Sequence, residues 1–68
     1  MRYAVIFEKS EADFGAYCPD LPGCVAVGGS LAEAKSRMAD AMRKHLAEML
    51  AEGQPTPEPS SVVAYIDA

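Results

Sequence analysis

The chain is predicted to be a single α+β domain of order β-β-β-α-β, with a four-stranded mixed sheet in spatial order 3-2-1-4 and one long helix on one face. Three observations carry that expectation. Short runs rich in aromatic and β-branched residues are separated by turn residues, as strands are. One longer run repeats apolar residues every three or four positions, the period of a helix buried on one face. A stiff proline-rich return follows it and leads to another apolar run, which is enough chain for a crossover, and crossovers between parallel strands are right-handed.

Residues 2–8 read as the first strand, with Tyr3, Val5, Ile6 and Phe7, and residues 9–13 are polar and suit a hairpin connection. Residues 14–18 make a second strand weakened by Gly15, and residues 24–27 make a third, closed by Gly28 and Gly29. Ser30-Leu31-Ala32-Glu33 has the form of a capping box, in which Ser30 accepts from the amide of Glu33 and the Glu33 carboxylate reaches back to the amide of Ser30. Leu31, Ala34, Met38, Ala41, Met42, Leu46, Met49 and Leu50 then fall on one face of a helix of about six turns. Gly53 is placed to stop it. Pro55, Pro57 and Pro59 make residues 54–60 extended, close to polyproline II. Residues 62–66 are the expected last strand, joining the free edge of the first.

The strands do not alternate. Tyr3, Ala4, Val5, Ile6 and Phe7, then Val25, Ala26 and Val27, then Val62, Val63, Ala64, Tyr65 and Ile66 are apolar toward both faces. A sheet with one wet face alternates apolar and polar residues. A second surface covered from outside the fold is therefore expected, with a homodimer or higher homo-oligomer as the simplest source. Small size points the same way, because 68 residues supply only a few kcal/mol of core without a supplement.

Formal charge is −4. The helical segment is neutral, with Lys35, Arg37, Arg43 and Lys44 balancing Glu33, Asp40, Glu48 and Glu52, so the whole excess of acid lies elsewhere. That argues against direct nucleic-acid binding, which needs a basic footprint, and is compatible with a basic protein partner. No apolar run approaches the length of a membrane span, and the start of the chain lacks the features of a signal peptide. A cytoplasmic protein is expected, with Cys18 and Cys24 reduced and acting as small apolar residues.

No catalytic, metal or cofactor site is expected. Glu8, Asp13, Asp20, Glu58 and Asp67 have no spacing that converges them on a two-metal site. His45 with the two cysteines matches no zinc pattern. Gly28-Gly29-Ser30 lacks the spacing of a phosphate loop, and a turn plus a helix cap accounts for it. Met38, Met42 and Met49 stand at core spacing on the helix rather than as an adaptable binding stripe.

The most distinctive stretch is Pro19-Asp20-Leu21-Pro22-Gly23-Cys24. Two prolines fix φ and remove two donors, and Gly23 admits a positive φ, so this is a stiff, shaped loop. It either presents residues to a partner or closes the second hairpin and seals the core. Together with the strand ending Phe7-Glu8, Gly28 before Ser30-Leu31-Ala32-Glu33-Ala34, and Glu52-Gly53 before Pro55 and Pro57-Glu58-Pro59-Ser60, this loop resembles the hallmark of the HicB family of bacterial antitoxins.

The resemblance implies a partial ribonuclease-H-like fold. It also implies a HicA-like toxin partner, a small basic mRNA-cleaving ribonuclease whose catalytic surface the antitoxin occludes. Many such antitoxins carry a C-terminal DNA-binding module; the expectation here is one domain over residues 1–68 without it. Pro19, Asp20, Leu21, Pro22 and Gly23 are the candidate partner-binding residues, with Asp20 facing a toxin cation and Leu21 and Pro22 making shape contacts. A self-associating scaffold without a toxin is the alternative, and a degenerate nuclease a remoter one.

Overall fold

The computed structural model describes all residues, Met1–Ala68. Three strands, β1 (Ile6–Lys9), β2 (Phe14–Tyr17) and β3 (Val25–Gly28), precede one helix, α1 (Leu31–Ala51). The strands form an antiparallel meander in the order β1-β2-β3. Ser10 closes the first hairpin, its amide donating to the Asp13 carbonyl at 2.9 Å.

The register sorts the side chains. Phe7, Ala16 and Ala26 stand opposite one another in one row, and Ile6, Tyr17 and Val25 in the next. Because neighbouring residues of a strand point to opposite faces, the first row faces the helix and the second faces away. The inner row belongs to a core of Ala16, Cys18, Leu21, Cys24 and Met38, against which Tyr3, Val5, Phe7, Ala26, Ala41, Met42 and Leu46 pack. The outer row is open, with Val25 63 % exposed.

The helix begins and ends as its sequence dictates. Ser30 Oγ accepts from the Glu33 amide at 3.1 Å. The reciprocal bond falls one residue earlier than a capping box requires: Glu33 Oε1 accepts from the amide of Gly29, at 2.9 Å, rather than from that of Ser30. At the other end Gly53 has φ +73°, its amide donates to Leu50 at 3.1 Å, and the Gln54 amide donates to Met49 at 2.9 Å. Those two bonds are the Schellman pattern. The helix lies mainly over β3 and β2. It comes close because Gly28 has no side chain: a Cβ there would stand 2.8 Å from Ala34 Cα.

The fourth strand is not formed, so the expected four-stranded mixed sheet in order 3-2-1-4 is replaced by a three-stranded antiparallel one. The return segment is held by side chains instead. The Tyr3 hydroxyl donates to the Pro57 carbonyl, and Asp20 holds Ser60 and Ser61. The chain is thus pinned beside the start of β1 and the β2–β3 loop, and residues 62–66 leave from there without a ladder. The last backbone–backbone hydrogen bond is that of Gln54, and Val62, Tyr65 and Ile66 are each at least 90 % exposed. A radius of gyration of 13.1 Å, against about 11 Å for a compact chain of this length, reflects the long helix and this outlying arm.

Candidate interaction surface

The loop of residues 18–24 is two consecutive β-turns sharing Leu21. The Leu21 amide donates to the Cys18 carbonyl and the Cys24 amide to the Leu21 carbonyl, each at 3.1 Å. Pro19 and Pro22 each occupy the second position of a turn, where a fixed φ is favourable. Gly23 takes the third position of the second turn with φ +82°, as a type II turn requires. This geometry throws the shared residue inward: Leu21 is completely buried, between Cys18 and Cys24. Pro19, Pro22 and Gly23 remain exposed on the outside.

Asp20 is partly exposed and turns toward the return segment. Its Oδ2 accepts from the backbone amides of Ser60 (3.0 Å) and Ser61 (3.1 Å), and its Oδ1 accepts from both serine hydroxyls at 3.0 Å. The two backbone donors are the first cause of a carboxyl pKa held below its ordinary value, and the hydroxyls add to it. Tyr3, half-buried beside this clip, has its phenol pushed up by desolvation and then by the charge of Glu58. The structure therefore brings Asp20, Tyr3 and the proline-rich return together at one corner. Of the five candidate residues, Leu21 and Asp20 are engaged within the chain, while Pro19, Pro22 and Gly23 form the exposed rim.

Other sequence candidates are placed less suggestively. Cys18 and Cys24 are free and buried, and burial pushes the Cys24 thiol up, away from the reactive thiolate. Cys24, His45 and Glu48 border a shallow hollow of about 210 Å³. No group of three or more histidine, cysteine or acidic side chains is gathered as a metal would require. At the helix start the chain's own Ser30 and Glu33 already accept from amides. Met38 is buried and Met42 packs on the core. No helix is long and apolar enough to cross a membrane.

Two apolar surfaces are open. The outer sheet face shows Ile6, Tyr17, Val25 and Val27. On the helix side, α1 leans toward β3 and leaves a groove beside β1 of about 290 Å³, lined by Tyr3, Val5, Phe7, Met38, Ala39, Met42 and Lys35. The groove and the Asp20 clip escape sequence reasoning. Their partners stand about 40 residues apart along the chain, and a pair of serines after prolines has no signature of its own.

The molecule is a small meander under one helix, with a double turn and two open apolar surfaces. Residues 3–68 match the family described as HicB_like antitoxin of bacterial toxin–antitoxin systems, and the chain belongs to that family. It is 30 % identical over 67 residues to an uncharacterized 14.9 kDa protein in the rep-hol intergenic region of Haemophilus phage HP1, covering 98 % of this chain and 50 % of that protein. It is 32 % identical over 63 residues to the UPF0150 protein ssr1765 of Synechocystis, covering 91 % of this chain and 80 % of that one. The chain thus spans about half the length of the phage relative. Among solved structures it resembles a chain of a HicA3 and HicB3 toxin–antitoxin complex, with TM-score 0.73 and 28 % identity, over 87 % of this chain and 70 % of that one.

Proposed function

We propose that this chain is the antitoxin of a type II toxin–antitoxin pair, which binds a HicA-like mRNA-cleaving ribonuclease and occludes its catalytic surface. The observation that carries the reading is the likeness to a chain of a HicA3 and HicB3 complex across most of this chain, added to membership of the family. The protein acts by binding, without catalysis or a cofactor, in the cytoplasm, where its target cleaves message. Self-association into a homodimer or larger homo-oligomer belongs to the same reading.

Charge supports a basic partner: the acid excess lies outside the neutral helix, and complementary charge speeds encounter and selects partners more than it adds affinity. The loop of Pro19, Asp20, Leu21, Pro22 and Gly23 is the proposed contact. Pro19, Pro22 and Gly23 supply the touching rim, Leu21 anchors it from beneath, and Asp20 fixes it to the return segment.

The test is co-expression with the small basic reading frame encoded beside this chain. The expected results are co-purification of the two proteins and loss of the toxin's RNA cleavage in vitro. A folded chain that neither binds that product nor inhibits it would overturn the proposal.

A further inference from the structure

We propose that Cys18 and Cys24 are a reversible disulfide pair: hydrogen peroxide joins them at the mouth of the proline loop, and a small dithiol restores the two thiols. Both are free and buried, and nothing in the proposed function uses them. β2 and β3 pair Tyr17 with Val25, so the next residues out, Cys18 and Cys24, stand directly opposite one another. Ala16 and Ala26 point inward, and a side chain two positions further along points the same way. Both cysteines accordingly lie in the core, with Leu21.

Their separation suits a bond. The turn hydrogen bonds tie Cys18 and Cys24 each to Leu21, and none joins the two cysteines to one another. Opposed residues of that kind in an antiparallel pair bring their Cα atoms to about 4.5 Å, within the roughly 4.4–6.8 Å that a disulfide spans. The stems of the loop already face each other, so closing the ring moves neither strand.

Access divides the roles. Cys24 borders the open hollow of about 210 Å³, with Gly23, Val25, Lys44, His45 and Glu48 around it, whereas Cys18 lines none of the hollows. Cys24 is therefore the attacking sulfur and Cys18 the resolving one. The Cys24 thiolate displaces hydroxide from peroxide and becomes a sulfenic acid. The Cys18 sulfur then attacks that sulfur and expels hydroxide, which leaves as water with the Cys18 proton. Two thiols and one peroxide thus give one disulfide and two waters, and the sulfurs lose the two electrons that the peroxide gains. Burial, and then the neighbouring Cys18, hold Cys24 as the thiol, so the first step is slow. The second is fast, because the partner is already in place. In a reducing compartment a bond of this kind is transient and reports oxidation. Any effect on the exposed rim of Pro19, Pro22 and Gly23 as a toxin contact rests on the antitoxin reading; the bond itself does not.

The test uses the purified chain without a toxin, so its failure is separable from failure of that reading. In millimolar hydrogen peroxide the folded chain should lose the mass of two hydrogens and keep its helical circular dichroism. It should then show no titratable thiol on unfolding, and dithiothreitol should restore both. Hydrogen exchange of the Leu21 amide should slow in the oxidised form. Cys18→Ser should stop at the sulfenic acid, captured on Cys24 by dimedone. Wild-type mass decides the matter even where that variant folds poorly. Two thiols that survive hours of peroxide in the folded chain, a bond formed between copies, or a bond that forms only in urea would each overturn the pair.

Discussion

At Asp20 one carboxylate accepts two amides and two hydroxyls from Ser60 and Ser61, and the sign of its pH dependence follows. Its folded pKa lies below that of the unfolded chain, about 3.9. The stabilisation it provides is therefore complete above the unfolded value and is lost as pH falls through the lower, folded one. The Ser60 and Ser61 amide signals should hold their positions at neutral pH and move together in acid, with a midpoint below the usual carboxylate range, as proton NMR would read directly. Asp20→Ala removes both acceptor oxygens and should abolish that titration and the hydrogen-exchange protection of the two amides, leaving α1 intact. Leu21 is, with Met38, one of the two largest fully buried side chains, and trimming such a side chain typically removes about 2–5 kcal/mol. Urea unfolding of Leu21→Ala should show a loss in that range, a large part of the stability of so small a domain.

The elements hold one another through few contacts, and two substitutions separate those contacts. Ser30→Ala removes the oxygen that accepts from Glu33 and should cost about 1 kcal/mol, the usual worth of an N-cap. Gly28→Ala should cost more, because its Cβ would meet the backbone of Glu33 and Ala34 at 2.9 and 2.8 Å and neither can yield without moving α1 off β3. Thermal melts of the two variants should rank in that order, and equal melting points would mean that β3 and α1 are not in the close register described. The meander, the helix with its cap and its Gly53 stop, and the turn character of residues 18–24 were all legible from local pattern. The cap differs by one residue in its returning bond, to Gly29 rather than Ser30. Strand limits also moved: β1 is Ile6–Lys9 rather than residues 2–8, and β3 is Val25–Gly28 rather than residues 24–27. Pairing decides where a ladder starts, and pairing is not local.

For the molecule as a whole, the proposed association with a toxin can be tested through charge. With the acid excess outside α1, association with a basic toxin should slow as salt rises past about 0.15 M, where screening shortens to roughly 8 Å, while dissociation changes less. Stopped-flow measurement across a salt series checks this; an association rate indifferent to salt would remove charge from the account.

Sequence by itself determined the order of the first three strands and the helix, the helix ends, the helix face apart from Leu31 and Leu50, which are exposed, the turn character of the proline loop and the family pattern. All are properties of neighbouring residues: fixed φ angles, side-chain periods and caps. It also signalled, through strands apolar on both sides, that surface would be left uncovered. Only the tertiary structure decided that residues 62–66 stand away from the sheet, that Asp20 grips the return segment instead of facing outward, and that Leu21 is core. Those outcomes depend on which distant groups meet. A carboxylate joined to serines about 40 positions along the chain fixes where the last segment starts, and no local pattern carries that contact.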